Sequence, residues 1–300
     1  MDVAITGSSG LVGTALAAAL RTDGHDVVRV VRSEPPHGER AVRWDPAAGT
    51  IDAAGLDGVD AVVHLAGESI GAGRWTADQK RRILDSRVQG TRLLAETLAG
   101  LTRKPGVLVS GSAIGYYGNR GDEVLTEDAV AGGGFLADVC VQWEQATASA
   151  AEPGIRVARI RTGPVLSLDG GAFPRLVRPA RFGLGGRLGS GRQWMSWITL
   201  DDHVAAIRFL LDQDVTGPVN VVAPNPVTNA AFARTLGRVL RRPTFIPTPA
   251  FGPKLVLGKM AEELLFYSQR ARPAVLMESG YTFADPELEP ALRRLLDRPA

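Results

Sequence analysis

The sequence contains few of the residues that build disulfide frameworks or metal centres. Its single cysteine, Cys140, excludes an internal disulfide and a cysteine-based structural zinc site. The four histidines are scattered through the chain without the short spacings typical of metal ligands, so no metal site is predicted. The 300 residues, of which 45% are hydrophobic, are instead expected to fold around an ordinary globular core.

An excess of one charge and long apolar runs are also missing. The 34 basic and 32 acidic residues leave a net charge of +2, which is too balanced for a surface dedicated to nucleic acid. No apolar run approaches the roughly 18 residues that a membrane helix needs. The chain enters a strand-like run at residues 2–6 without the pattern of a signal or transit peptide. We therefore predict a cytoplasmic protein with neither a nucleic acid nor a membrane as its partner.

The first thirty residues have the pattern of a strand, a glycine turn, a helix and a second strand. Residues 3–5 and 27–31 are short apolar runs, and a Gly-x-x-Gly-x-x-Gly turn with a helical pattern lies between them. Glycine lets a diphosphate approach the backbone, and the helix N-terminus offers free N–H groups and a positive dipole end. The turn could merely close a strand–helix corner, but its flanking elements favour dinucleotide binding. The predicted contacts are Gly7, Ser9, Gly10, Leu11, Val12 and Gly13.

The end of the second strand distinguishes between the two nicotinamide dinucleotides. A site for NAD usually has an acidic residue here, which binds the ribose 2′-hydroxyl. This strand is followed by Arg32 and Ser33, which suit the 2′-phosphate of NADP because arginine can make two charge-assisted hydrogen bonds to a phosphate. Glu34 comes next and could still face a hydroxyl, while Arg32 could simply be solvated. We predict NADP(H) as the cofactor, with NAD(H) as the less favoured alternative.

Later blocks of the sequence resemble the short-chain dehydrogenase/reductase superfamily. Residues 60–67 are similar to the fourth strand of its extended branch, and residues 106–112 to the fifth strand, which delivers the catalytic serine. Further blocks narrow the resemblance to an atypical NAD(P)-dependent epimerase/dehydratase-like family with its own C-terminal module. They include Arg74-Trp75-Thr76, Ser86-Arg87-Val88, Phe135-Leu136-Ala137, Trp143-Glu144, Gln193-Trp194-Met195-Ser196-Trp197-Ile198 and Ser279-Gly280-Tyr281-Thr282-Phe283. Members are sometimes labelled SulA-like cell-division inhibitors, a label that these residues do not support.

The alternation of strand and helix patterns, together with this resemblance, predicts an α/β fold. We expect a Rossmann-type doubly wound parallel sheet with a smaller, mostly helical C-terminal substrate lobe. The NADP-binding domain is placed at residues 1–165, with elements around 200–225 returning to it. Residues 166–300 are assigned to substrate-side loops and the C-terminal module. The eight glycines between Gly163 and Gly191 predict loops over a crevice and no regular element there.

The resemblance also implies cofactor contacts outside the glycine turn. Arg87, in a long helix predicted over 77–98, should approach the cofactor, unless it is a salt-bridged helix arginine. After a sixth strand at 156–160, the N–H of Val165 is expected to meet the nicotinamide carboxamide, because Pro164 has no N–H. The remaining contacts predicted at strand ends are Leu65, Ala66, Gly67, Glu68 and Ser110.

The usual catalytic pair of the superfamily is missing from this chain. That chemistry needs a tyrosine and a lysine four residues later, on one helical face, with a serine that orients the substrate oxygen. No tyrosine here has its lysine, and Leu136 and Cys140 stand in the expected places. Ser112 remains, either beside the nicotinamide or as a strand-end serine that satisfies a turn. Tyr116 and Tyr117 are the nearest substitute acids, although the glycines around them favour packing in the crevice wall.

A loop rich in arginine and glycine is the candidate substrate contact. Arg187, Arg192 and Gln193 would suit an anionic ligand such as a nucleotide-linked sugar, although the loop could also be a solvated basic segment. Two functions remain open. One is an NADP(H)-binding epimerase-like oxidoreductase that acts on a small, nucleotide-linked sugar. The other is a non-catalytic NADP(H) sensor, which the missing tyrosine–lysine pair favours.

Several other conspicuous residues are predicted to have structural roles. Trp194 and Trp197 have apolar neighbours and are expected to anchor the core. His64 lies inside an apolar strand, where it would belong to the core or to the wall of the cofactor site. Asp201 and Asp202 begin a helical pattern and are interpreted as its N-terminal cap.

Overall fold

A single large sheet organises the molecule. The computed structural model of the chain describes residues 1–33, 40–71, 73–244 and 258–297. Its strands are β1 (Asp2–Thr6), β2 (Asp26–Val31), β3 (Ala41–Asp45), β4 (Thr50–Ile51), β5 (Ala61–His64), β6 (Val107–Ala113), β7 (Val124–Leu125), β8 (Arg156–Thr162), β9 (Val165–Leu166), β10 (Trp194–Met195), β11 (Ile198–Thr199), β12 (Gly217–Val221), β13 (Val227–Thr228) and β14 (Arg270–Ala271).

Helices connect these strands and also occur in the described parts of residues 166–297. They are α1 (Leu11–Thr22), α2 (Ala77–Gly100), α3 (Phe135–Gln145), α4 (Ala148–Ala151), α5 (Phe173–Arg181), α6 (Leu200–Asp212) and α7 (Asn229–Leu240), followed by short helices over Lys259–Ala261, Ala274–Glu278 and Leu288–Leu295. Single turns of 3₁₀-helix cover Ala54–Leu56 and Ile114–Tyr117, and a π-helical turn covers Glu262–Phe266. No helix within the described ranges is long and apolar enough to cross a bilayer.

The strand order of the main sheet is that of a doubly wound α/β fold. The strands lie in the order β12-β8-β6-β5-β1-β2-β3-β4, and all neighbours are parallel except β3 and β4. The predicted Rossmann-type fold is confirmed. The order reverses at β1, where β2 lies on one side and β5 on the other, and a ligand is expected in the crevice at the carboxyl ends of the strands there.

Helices cover both faces of this sheet because its central strands are apolar on both sides. On one face, α1 and α6 pack through Leu16 and Ile207 against Val3 and other side chains of the sheet. On the other face, α2 packs through Leu94 with Ala4. The 24-residue helix α2 begins after Thr76, whose side chain accepts a hydrogen bond from the N–H of Gln79 and so caps the helix.

The expectation of loops throughout the glycine-rich stretch was wrong for residues 173–181. Helix α5 forms there, with a proline in its first turn and with Phe173, Val177 and Ala180 buried on one side. This side packs with α7 and with Leu288–Leu295 in a separate hydrophobic cluster. Phe173, Val177 and Ala180 are spaced as on one face of a helix, a pattern between the glycines that sequence analysis overlooked.

The interpretation of Asp201 and Asp202 as a helix cap was also wrong. The cap of α6 is Thr199, whose hydroxyl accepts the N–H of Asp202 at 3.3 Å. Asp202 is 1% exposed, and its carboxylate accepts the N–H groups of Ala284 and Asp285, each at 2.8 Å. Asp202 therefore joins the C-terminal segment to the sheet domain, a role that no local pattern predicts.

Candidate active site

The glycine turn after β1 is packed so closely that side chains would not fit. Gly7 has φ +67°, and a Cβ on it would lie 2.8 Å from the carbonyl carbon of Leu65. A Cβ on Gly13 would lie 2.2 Å from the carbonyl oxygen of Gly7. The N–H of Gly10 donates to the same Gly7 oxygen at 3.0 Å. The turn is therefore a tight backbone cradle at the end of β1.

This cradle fits the diphosphate of a dinucleotide. Helix α1 begins at Leu11 without a side-chain cap and without an acidic residue in its first turn. Ser9 and Gly10 are exposed, and Leu11 and Val12 are partly exposed. The first N–H groups of the helix can therefore donate to an anion, and the helix dipole favours negative charge at this place.

Thr6 and His64 hold the neighbouring end of β5 against the cradle. The Thr6 hydroxyl accepts the N–H groups of Leu65 and Ala66 at 3.0 and 3.2 Å. Thr6 Oγ1 also lies 2.7 Å from His64 Nδ1. His64 is fully buried, which agrees with its prediction as a residue of the core or of the cofactor-site wall. These contacts fix the backbone wall along which the predicted cofactor contacts Leu65, Ala66 and Gly67 lie.

Two buried histidines should make the protein lose stability in mild acid. Burial, with the positive charge of Arg87, lowers the pKa of His64 to about 4, and burial lowers the pKa of His203 to about 4. Between pH 6.5 and 4 the unfolded chain then binds protons that the folded chain does not, so stability falls as the pH falls. We expect a loss of about 3 kcal/mol for each histidine across that window. Urea unfolding at several pH values measures it.

His203→Gln tests this prediction most directly. His203 Nε2 lies 2.9 Å from the hydroxyl of Thr162, a contact that a glutamine amide can replace. The variant should show a shallower dependence of unfolding free energy on pH than the wild type. An unchanged pH dependence would mean that His203 does not titrate differently in the two states.

The region around β2 contains one arginine that was predicted as a cofactor contact and one that was not. Arg32 and Ser33 follow β2 directly and are exposed at its carboxyl end, where the ribose 2′-position is expected. Glu34, the alternative contact, lies outside the described residues. Arg29, inside β2, donates from Nε to the hydroxyl of Ser8 in the glycine turn at 3.1 Å. Its signal in the sequence is a charged residue in an otherwise apolar strand.

Arg87 lies at the opposite, β5 side of the cradle. Its Nη1 donates to the carbonyl oxygens of Glu68 and Ile83 at 2.9 and 3.2 Å. A Cβ on Gly67 would lie 3.2 Å from its Cζ, and the guanidinium lies 5.0 Å from the ring centroid of Trp143. Within the ranges that the structure describes, no carboxylate lies within 4.0 Å of it. The salt-bridged alternative is therefore wrong for the described residues.

Two further predicted cofactor contacts differ in their access to the crevice. Val165 is partly exposed and pairs with Ile198 between β9 and β11. Ser110 is fully buried, and in the described part of the chain its hydroxyl has no hydrogen-bond partner. Whether either residue touches a cofactor stays a prediction.

A buried charged network occupies the place where the catalytic residues were expected. The Ser112 hydroxyl donates to Glu144 Oε1 at 2.7 Å. Arg161 donates to both carboxylate oxygens of Glu144, from Nε at 2.8 Å and from Nη2 at 2.9 Å. Its Nη1 donates to the Tyr117 hydroxyl at 3.0 Å, and this hydroxyl donates to Asn220 Oδ1 at 2.7 Å. The network joins β6, α3, β8 and β12 at the carboxyl edge of the sheet.

The protonation states in this network are fixed by burial and charge. Burial lowers the pKa of Arg161, but its contacts with Glu144 and Tyr117 outweigh that effect and raise the pKa. Burial raises the pKa of Tyr117 to about 12 and that of the Cys140 thiol to about 12. Tyr117 and Cys140 therefore keep their protons at neutral pH.

The three predicted catalytic residues differ in how they are held. Tyr117 is fully buried, as expected of a packing residue. Tyr116 is partly exposed, and the Arg161 guanidinium carbon lies 3.5 Å from its ring centroid. Ser112 directs its proton to Glu144. Sequence reasoning missed Glu144 and Arg161 as members of the site. Glu144 belongs to the Trp143-Glu144 block that carries the resemblance, and the signal for Arg161 was a charge within a regular strand.

The predicted substrate residues do not share one environment. Arg187 and Arg192 are exposed. Gln193 is 7% exposed, and its side-chain amide donates to the carbonyl oxygens of Leu188 and Leu265 at 3.2 and 3.1 Å. Gln193 thus ties the arginine-rich loop to the π-helical turn of the C-terminal part. Substrate contacts from the two arginines stay a prediction.

The two tryptophans beyond this loop are placed differently. Trp197 is fully buried, as predicted for a core anchor. Trp194 is partly exposed, and its Nε1 donates to Asp122 at 2.8 Å. Among residues 1–33, 40–71, 73–244 and 258–297, no group of three or more His, Cys, Asp or Glu side chains is arranged to hold a metal ion.

Comparison with known proteins gives matches over nearly the whole chain. Residues 3–223 match the model of the NAD dependent epimerase/dehydratase family, and residues 248–295 match a domain of unknown function, DUF1731. The chain is 43% identical over 299 residues to an epimerase family protein of Mycobacterium leprae, covering 99% of this chain and 96% of that protein. It is 35% identical over 302 residues to the human epimerase family protein SDR39U1, covering 99% and 100%.

Two solved structures extend these matches. The crystal structure of human SDR39U1 (isoform 2) with NADPH superposes with a TM-score of 0.90 at 33% identity and covers 99% of both chains. A nucleoside-diphosphate sugar epimerase from Corynebacterium glutamicum superposes with a TM-score of 0.81 at 42% identity. That match covers 99% of this chain and 58% of the other.

Proposed function

This chain belongs to the NAD-dependent epimerase/dehydratase family, and from that premise we propose that it is an NADP(H)-binding, epimerase-like oxidoreductase acting on a nucleotide-linked sugar. The resemblance predicted from the sequence is confirmed, and with it an NAD(P)-binding Rossmann fold. The choice of NADP over NAD and the sugar substrate are our proposals. The predictions of a cytoplasmic location and of no nucleic acid or membrane partner stay predictions.

The glycine cradle is the observation that carries this proposal. Gly7 and Gly13 have no room for a Cβ, and the uncapped start of α1 offers N–H groups where a diphosphate would lie. Exposed Arg32 at the end of β2 stands where a 2′-phosphate would be bound. The structure of human SDR39U1 contains NADPH, which independently supports NADP(H) as the cofactor.

The protein's own residues would hold the cofactor, but the positions of the usual tyrosine–lysine pair offer no acid or base. When bound, the nicotinamide supplies the carbon that gives or accepts a hydride. The N–H groups at the start of α1 would hold the diphosphate, and Arg32 the 2′-phosphate. Ser112 lies at the end of β6, where Glu144 fixes the direction of its O–H bond. Tyr116 is a partly exposed residue and is the candidate acid in the crevice.

A non-catalytic NADP(H) sensor is the second candidate, and the network around Ser112 favours it. The Ser112 proton is donated to Glu144 and is not directed to a substrate oxygen. Leu136 stands in the place expected for the catalytic tyrosine. Cys140 stands in the place expected for the lysine, and its thiol stays protonated because burial raises its pKa to about 12.

Calorimetric titration with NADPH and NADH tests the cofactor assignment. Arg32→Ala should weaken NADPH binding about 10- to 100-fold, because a charge-assisted contact with phosphate is lost, and should leave NADH binding unchanged. Arg21→Ala is the matched control, since Arg21 is exposed in the last turn of α1, far from the crevice. Equal affinity of the wild type for NADPH and NADH would contradict the assignment.

Turnover separates the enzyme from the sensor. The protein with bound NADP⁺ or NADPH is incubated with a panel of nucleoside-diphosphate sugars, while the fluorescence of the reduced nicotinamide is followed. An enzyme should convert at least one sugar. The conversion would appear either as a net change in the redox state of the cofactor or, where the hydride returns to the sugar, as a new epimer among the products, and Ser112→Ala should slow it without abolishing cofactor binding. A sensor should bind the cofactor and leave both its redox state and every sugar unchanged.

A further inference from the structure

We propose that Arg87 makes the cofactor site discriminate between the two redox forms of NADP, so that the protein binds NADPH more tightly than NADP⁺. This inference rests on the proposed function, because it assumes that the crevice binds NADP(H). In this inference Arg87 selects the redox state of the cofactor, whereas Arg32 would select NADP over NAD through the 2′-phosphate.

Arg87 lies beside the carboxyl end of β5, on the side of β1 opposite β2. The diphosphate cradle lies at β1, and the end of β2 carries the adenosine side. The rest of the dinucleotide must therefore extend the other way, over β5 and β6. Along that path Gly7 packs on the backbone of Leu65, and Gly67, two residues later, packs on the Arg87 guanidinium.

The guanidinium is held in place by neutral groups. Its hydrogen bonds go to the backbone carbonyls of Glu68 and Ile83, and one face stacks on Trp143. These contacts orient the cation without cancelling its charge. A flexible surface arginine could swing away from a repelled ligand, but Arg87 is bonded to the carbonyl of Ile83 in its own helix and to that of Glu68 in a separate segment.

The charges around Arg87 leave its positive charge largely uncompensated. The Glu68 carboxylate lies beyond ion-pair distance, and its Oε1 accepts a hydrogen bond from Gln79 at 3.4 Å. The Cys140 thiol is protonated at neutral pH. Glu144 is already paired with Arg161. Burial lowers the pKa of Arg87, which is the consequence expected for a cation that lacks a close carboxylate.

Oxidation of the cofactor adds one positive charge to the nicotinamide ring and changes nothing else in its charge. NADP⁺ and NADPH carry the same diphosphate and the same 2′-phosphate, so any contact with phosphates affects both forms equally. A fixed cation beside the ring repels only the oxidised form. The protein would therefore retain NADPH and release NADP⁺, which suits a reductase that exchanges spent cofactor and equally a sensor of reduced cofactor.

The test compares the dissociation constants of NADPH and NADP⁺ for the wild type and three variants. The wild type should bind NADPH about tenfold more tightly than NADP⁺, a difference of about 1.4 kcal/mol. Arg87→Gln, which keeps a donor for the Glu68 carbonyl, should bring the ratio of the two constants close to one. Arg87→Lys keeps the charge and should preserve the ratio. Arg92→Gln, in the same helix but exposed, is the matched control and should leave both constants unchanged.

The outcomes separate this inference from the proposed function. If Arg87→Gln weakens both forms equally, Arg87 contacts the shared phosphates or supports the fold, and the inference is overturned. If the wild type binds NADPH and NADP⁺ with equal dissociation constants, the inference is overturned even if no variant folds. The proposed NADP(H) binding would stand in that case. If neither form binds to the wild type, the proposed function fails as well.

Discussion

Replacing Glu144 by alanine is expected to lower the free energy of unfolding by about 3–5 kcal/mol, because the buried Arg161 would lose its carboxylate partner. The two side chains are only 8% and 4% exposed, so water cannot take over the lost interaction. The Ser112 hydroxyl would lose its acceptor as well. Urea unfolding at neutral pH, followed by circular dichroism, measures the change against the wild type.

Ser112→Ala is the control for this prediction. It removes one hydrogen bond to the same carboxylate and leaves the ion pair in place, so it should cost about 1 kcal/mol. A cost for Glu144→Ala as small as that for Ser112→Ala would mean that the pair is more hydrated than its burial indicates.

A double variant separates the net contribution of the Glu144–Arg161 ion pair to stability from the cost of leaving one of its charges unpaired. Glu144→Leu combined with Arg161→Met replaces both charges by apolar side chains of similar length. Because no unpaired charge is left buried, the double variant should be less destabilised than the sum of the two single variants. If the effects were simply additive, the two residues would not be energetically coupled.

Gly13→Ala is expected to weaken NADPH binding by about 100-fold, because the new methyl group would displace the start of α1 from the glycine turn. Its Cβ would lie 2.2 Å from the carbonyl oxygen of Gly7, a backbone atom that cannot rotate away. Separating turn and helix moves the N–H groups that would hold the diphosphate. Calorimetric titration with NADPH measures the loss, and circular dichroism shows whether the fold remains.

Gly100→Ala is the matched control for the cradle. Gly100 is the last residue of α2, and a Cβ there would meet nothing within 4 Å. It should leave NADPH affinity unchanged. If Gly13→Ala bound NADPH as tightly as this control, the glycine cradle would not be the diphosphate site, and the observation that carries the proposed function would be lost.

Local patterns were sufficient to predict the elements around the glycine turn. A few neighbouring residues are enough to recognise the apolar runs of β1 and β2 and the helical spacing of α1. The long helix predicted over 77–98 was found at Ala77–Gly100 for the same reason. Helix α5 was overlooked because the glycines on either side of it dominated the composition of that stretch.

Side-chain partnerships between distant elements could not be predicted in this way. Asp202 has the sequence position of a helix cap, yet it is bonded to the backbone of residues 284 and 285. Nothing in the residues around it indicates that partner. A carboxylate near a helix start is favoured by both roles, so only the path of the C-terminal segment decides between them.

The sequence by itself determined the glycine turn after β1 and the loss of the tyrosine–lysine pair, because each depends on residues a few positions apart. Blocks spread along the chain determined the family fold. Only the tertiary structure decided what replaces that pair. Ser112 and Arg161 are opposite each other in the register of β6 and β8, and α3 places Glu144 between them. Both Glu144 and Arg161 are buried, and a charge excluded from water needs a partner of opposite charge. Only the packed fold brings these two side chains together.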